Sequence, residues 1–269
     1  MESDGTVVAK KTYPWFYVCF LVAPYLCYLL LNVSFTGMGY SMISSSMYAA
    51  VAVGVFTIIE YWYFVLRKRD YADEPFYQDV LWSGRGVILL SMIFFGVCFL
   101  SQYVGSYILA TFGDALYEDY LEVRNAEIQL YLVSSLAGAP LFEEAVFRGT
   151  GFAMMRKKIG AVPAAVLSSC LFGLAHMNVV QFVTAFFFGM LLAWVYEMTG
   201  KLRHCIFLHI LYNLTVMSVV VQVPVFYYNS VSAVACFVIL GCISVLLFAY
   251  RERLRPVFLR DEDPYEKYR

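Results

Sequence analysis

Three small groups of polar residues interrupt the apolar second half of this chain. The first is Glu143, Glu144 and Arg148, in the stretch LFEEAVFRG (141–149). The second is Phe172 with His176, in FGLAH, and the third is His209 with Asn213, in HILYN. A separation of four places two side chains on one face of a helix. Carboxylate, imidazole and carboxamide together are the parts needed to hydrolyse an amide with activated water and no covalent intermediate. The carboxylate serves as general base, an imidazole shares the water or serves the leaving group, and the other donors meet a developing oxyanion.

The two glutamates divide by position. Glu144 and Arg148 are i,i+4 partners with the acid first, the favourable order, so they are expected to form a supporting ion pair. Glu143 points about 100° away and has no partner in its own helix. It is therefore the expected base, with His176 beside the water and His209 and Asn213 as oxyanion donors. A metal reading stays open: Glu143, His176 and His209 are a His/His/Glu trio of the kind zinc hydrolases use, although no H-E-x-x-H is present. The structural alternative is an interhelical polar clamp, since such groups also hold membrane bundles together.

These groups must be positioned by membrane helices. Of 269 residues, 61% are hydrophobic and only 14% charged, too few charges to cover a soluble surface. A span needs roughly 20 apolar residues. Eight candidate spans follow, near 14–33, 42–66, 87–110, 128–153, 161–177, 179–198, 204–223 and 231–250. The expected fold is an all-α polytopic transmembrane bundle.

All Lys and Arg residues except Arg124 and Arg148 fall in the N-terminal tail, in 67–85, 156–158 and 201–203, or after 250. With eight spans these segments share one side, which the positive-inside rule makes cytoplasmic, along with both termini. Glu143 lies thirteen residues before Arg156, and His176 thirteen after Pro163. On straight helices both are roughly 20 Å deep. The chain divides into three parts of one integrated domain: three spans and an outer segment (1–127), a four-span core (128–223), and the last span with its tail (224–269).

Other features have plainer readings. Leu116, Tyr117, Tyr120 and Leu121 offer an apolar face for an interfacial helix within 114–129. The tail from Arg251 reads as a short, charged, flexible end. His204 reads as interfacial and Glu60 as close enough to the interface to reach water. The seven cysteines, with no C-x-x-C pair, read as small hydrophobes. No basic patch suggests nucleic acid, so the expected partners are membrane lipid and a peptide or membrane-associated protein substrate.

The three motifs, in order and each on a span, resemble those of the CPBP family of intramembrane proteases (CAAX proteases and bacteriocin-processing enzymes, also called Abi). That pattern is E-E-x-x-x-R, F-x-x-x-H and H-x-x-x-N, here Glu143-Glu144-x-x-x-Arg148, Phe172-x-x-x-His176 and His209-x-x-x-Asn213. The resemblance covers about 135–220, and FGMLLAWVYEMTGKL followed by FLHILYNL resembles bacterial members. It implies a glutamate-dependent endopeptidase in a bacterial cell membrane, open to the cytoplasmic side. Glu143 and His176 would activate water, His209 and Asn213 would form the oxyanion hole, and Glu144, Arg148 and Phe172 would support the site. No cofactor is required by that scheme, with zinc as the alternative. Substrates would be CAAX-type proteins, peptide pheromones, bacteriocin leaders or membrane proteins. Two non-protease readings compete: a membrane scaffold or bacteriocin-immunity protein, and a transporter using Glu60, Glu143 and Glu144.

Overall fold

The computed structural model describes residues 80–218 and 229–261, with scattered positions between 27 and 55. The expected spans 14–33 and 42–66 lie largely outside the described residues, as do Glu60 and both chain ends. What is described is an all-α bundle of an integral membrane protein, closed at one end by a short pair of strands.

Helix α1 (Gly84–Phe112) starts where the Ser83 hydroxyl accepts the Gly86 N–H at 2.8 Å. That bond satisfies one of the donors a helix leaves open at its start. Helix α2 (Ala115–Ala126) follows, and the chain then bends by 110° into a long helical rod. The rod is α3 (Ile128–Val133), a π-helical turn (Ser134–Gly138), α4 (Ala139–Glu144), a second π-helical segment (Ala145–Phe152) and α5 (Ala153–Ile159). Gly160, at φ 85°, makes the reversal into α6 (Ala161–Leu174). Helix α7 (Val179–Thr199) leads through the left-handed Gly200 to α8 (Leu202–Ser218). Helices α9 (Ser230–Ala249) and α10 (Arg251–Phe258) complete the set.

Three of these helices, α1, α7 and α9, are long and apolar enough to cross a membrane, and α2 with the rod forms a fourth if the bent pair is one broken span. Helix α6, expected to span as 161–177, is only 14 residues, or about 21 Å, short of a hydrocarbon core of about 30 Å. The shortening has a local cause: the chain must turn at Ala175–Asn178 to enter α7.

Helix α7 is the axis of the bundle. From Phe187 to Thr199 nearly every side chain is buried, as expected of a helix apolar all round. It packs against α1, α6, α8 and α9. Helix α9 is different. Ala233, Leu240 and Leu247, seven residues apart, turn inward, while Val231, Val234, Phe237, Val238 and Val245 face outward, as on a lipid-facing helix.

Residues 251–261 depart from the flexible tail expected of the chain after Arg251, whose remaining residues lie outside the described ones. Strand β1 (Val80–Trp82) pairs antiparallel with β2 (Leu259–Asp261), with Leu81 opposite Arg260. Phe258 is 2% exposed, packed edge-on against Trp194 at 5.1 Å and Trp82 at 6.4 Å. Ser83 donates its hydroxyl to the Val257 carbonyl at 2.7 Å, and Arg255 donates to the Met198 carbonyl at the end of α7, also at 2.7 Å. Apolar residues between the charges (Leu254, Phe258, Leu259) supply the anchor. The basic end is tied further by a two-pronged ion pair, Arg156 to Glu197 at 2.6 and 2.7 Å.

At the other end, both Asp114 oxygens are used. One accepts the Val179 and Val180 N–H groups that open α7, at 2.8 and 3.1 Å, and the other accepts the Tyr117 N–H at 3.2 Å. This holds the start of α2 to the start of α7. Within α2, Tyr117, Leu121 and Arg124 turn partly inward and Leu116 is exposed, so the expected apolar face is split between two directions.

Candidate active site

Each site residue is placed by an identifiable local cause. Glu143 and Glu144 end α4, immediately before the rod widens into its second π-helical segment. π segments of this kind are frequent at functional sites. All eight residues of this one are buried, including Arg148. Two side chains supply extra donors to its carbonyls: Thr150 to Val146 at 2.8 Å, and Ser168 of α6 to Phe147 at 2.7 Å.

The centre is a charge network. Arg148 Nη1 donates to Glu144 Oε1 at 3.0 Å, and both side chains are completely buried. His209 Nδ1 meets the same oxygen at 2.8 Å. A carboxylate oxygen accepts, so Nδ1 carries the hydrogen and Nε2 faces away from Glu144. That Nε2 lies 3.6 Å from Glu143 Oε2. The Glu143 side chain is 22% exposed, and its carboxylate makes no hydrogen bond among the described residues. The expected i,i+4 pair is therefore present, and His209 bridges the two carboxylates.

Phe172 organises the rings around this network. The Arg148 guanidinium lies 4.4 Å from its ring centroid, a cation–π contact in a dry setting. Phe147, His176 and His209 meet the same ring edge-on at 5.2, 5.1 and 5.8 Å.

His176 does not lie on the helix expected for it. Helix α6 ends at Leu174, and His176 sits in the turn beyond, followed by Met177 at φ 60°. Its Nδ1 donates to the Phe172 carbonyl at 2.9 Å, capping the helix end. A carbonyl only accepts, so neutral His176 presents a bare Nε2. Met177 is the one non-glycine residue with positive φ among the described residues. That backbone costs on the order of 1–2 kcal/mol, and it sits directly beside a site residue.

Asn213 is one turn beyond His209 on α8 and is held elsewhere: its Nδ2 donates to the Ser135 carbonyl of the rod at 2.7 Å. The structure thus gathers Glu143, Glu144, Arg148 and His209 directly, links His176 through Phe172, and ties Asn213 to the rod. No three His, Cys, Asp or Glu side chains stand together so as to hold a metal ion among the described residues. The trio Glu143, His176 and His209 does not fit a zinc ion here.

Several contributors carry no motif. Phe188 of α7 packs on His209 at 5.5 Å and stacks on Tyr212 at 4.0 Å, whose hydroxyl accepts from Gln102 of α1 at 3.1 Å. Gly189 gives Arg148 its room: a Cβ there would stand 2.9 Å from Nη2 and 3.0 Å from Ser169 Oγ. Only Ser135 left a trace in the sequence, through Pro140, which interrupts a helix five residues later.

Residues 125–215 match the family model described as type II CAAX prenyl endopeptidase Rce1-like. Over 93 residues the chain is 30% identical to the "Putative membrane peptidase YdiL" of Bacillus subtilis (strain 168). That match covers 35% of this chain and 38% of that protein, well under two thirds of its length. No solved structure matches.

Proposed function

We propose, from the likeness of residues 125–215 to the Rce1-like family model and from the geometry of the site, that this chain is an intramembrane endopeptidase that hydrolyses a peptide bond with water activated by Glu143. The observation that carries the reading is the division of labour between adjacent carboxylates. Glu144 is buried and its Oε1 is held by both Arg148 and His209, while Glu143 is partly exposed and makes no hydrogen bond among the described residues, its Oε2 standing 3.6 Å from His209 Nε2.

In this mechanism Glu143 and the bare Nε2 of His176 hold the attacking water. As its oxygen bonds to the carbonyl carbon, one proton passes to Glu143. The oxyanion receives a hydrogen bond from the second N–H of Asn213, and another from His209 when its Nε2 carries a proton. Collapse of the tetrahedral species breaks the C–N bond, and Glu143 returns its proton to the leaving nitrogen. Glu144, Arg148 and Phe172 hold His209 and His176 in place. The substrate is a membrane-associated protein or peptide, of CAAX type or a peptide or bacteriocin leader.

The test compares peptides released by wild type and by Glu143→Gln, first in membranes and then with purified protein. Loss of specific products with normal accumulation of the variant supports the reading; wild-type cleavage by Glu143→Gln overturns it. Cleavage that persists after chelation and measured metal removal supports the metal-free mechanism, and loss restored by added zinc overturns it. A scaffold or immunity role is the second reading, favoured by the buried Glu144–Arg148–His209 network, which is also what a structural clamp would need. It predicts that Glu143→Gln leaves the phenotype unchanged.

A further inference from the structure

We propose that Pro140 is a positioning residue that fixes the carboxamide of Asn213, an inference that rests on the endopeptidase reading above. A helix carbonyl needs an N–H four residues on, or five in a π turn. In the first π turn of the rod the Ala139 N–H bonds the Ser134 carbonyl, five residues back. It therefore does not serve Ser135. The next residue is Pro140, which has no N–H. The Ser135 carbonyl is left with no main-chain donor, and Ser135 is buried.

Asn213 fills that gap, with Nδ2 2.7 Å from Ser135 O. Because a carbonyl only accepts, the nitrogen and not the oxygen must face it, so the carboxamide cannot flip without breaking this bond. One N–H is spent and the direction of the other is fixed. Pro140 lies three residues before Glu143 on the same short helix, and Asn213 lies four after His209 on α8. The proline therefore sets the orientation of a donor on one helix relative to the base on another. Its ring also favours the widened turn, since in a regular α-helix it would strike the carbonyl four residues back.

Pro140→Ala restores a main-chain N–H that can serve Ser135 O, so Asn213 loses its exclusive acceptor. Two cycles with Asn213→Ala test this. In the activity cycle, Pro140→Ala should lower kcat about tenfold to a hundredfold, as small misplacements do, with KM within about twofold. Asn213→Ala should then add little to that loss. In the stability cycle, Asn213→Ala should lower Tm more in the wild-type background than in Pro140→Ala, because only the former leaves Ser135 O unpaired. Wild-type kcat in Pro140→Ala, or additive losses in both cycles, overturns the assignment. Coupled stability with no Glu143-dependent cleavage overturns the endopeptidase reading while the Pro140–Asn213 pairing stands. Cleavage with additive variants does the reverse.

Discussion

His209 Nδ1 lies 2.8 Å from Glu144 Oε1, the same oxygen that Arg148 Nη1 reaches at 3.0 Å. One buried atom thus joins the motif on the rod to the motif on α8. It also orients His209, whose other nitrogen faces Glu143 at 3.6 Å. Glu144 holds the site together and leaves Glu143 available.

The two glutamates should separate by experiment. Glu144→Gln removes the charge opposite a completely buried Arg148, and breaking such a pair typically costs about 3–5 kcal/mol. Glu143→Gln, at a partly exposed carboxylate with no hydrogen bond, should stay within about 0.5 kcal/mol of wild type. Thermal unfolding in detergent should show a lower Tm for Glu144→Gln only, while cleavage is lost in Glu143→Gln. Equal destabilisation by both would contradict the division.

Gly189→Ala should damage the site from the opposite helix. The added Cβ falls 2.9 Å from Arg148 Nη2 and 3.1 Å from Ser169 Cβ, both in buried residues. Overpacking of this kind costs about 1–3 kcal/mol. Ser169→Gly in the same chain should recover part of the loss in Tm. No effect from Gly189→Ala would mean that α6 and α7 part easily at this level.

Phe258→Ala tests whether the C-terminal segment is part of the fold. Loss of a buried phenyl ring packed on Trp194 costs about 3–5 kcal/mol. Amide exchange should rise in β1 and at Gly86, whose close approach to Phe258 leaves no room for a Cβ. Unchanged exchange would return the segment to the status of a loose tail.

Asp114→Ala should loosen the opposite end. Its carboxylate serves two N–H groups of α7 and one of α2, and loss of a helix cap costs about 0.5–2 kcal/mol. Exchange should accelerate at Tyr117, Val179 and Val180 together, since one carboxylate protects all three. Acceleration at only one of the two helices would disprove a shared clasp.

The pairing of Glu144 with Arg148 was legible because i,i+4 spacing is local, and the grouping of three motifs was legible because polar residues are conspicuous in apolar spans. The membrane class and the all-α fold followed from composition and from apolar run length, properties each segment carries by itself. His176 was misplaced because helix spacing alone does not show where a helix stops. Here α6 stops at Leu174 so that the chain can turn into α7. The folded C-terminal segment was missed because its charges are conspicuous, while its anchors, Phe258 against Trp194 and Leu259 in a strand, depend on partners far away in sequence.

The sequence by itself determined which residues could do chemistry and that membrane helices carry them. Only the tertiary structure decided which of those residues meet. Glu144 rather than Glu143 receives His209 Nδ1, Asn213 turns to Ser135, and Gly189 and Phe188 shape the space around Arg148 and His209. The reason is physical: helix periodicity fixes a direction within one helix, but a hydrogen bond between helices depends on their separation, rotation and depth. Those are set by packing across the whole bundle.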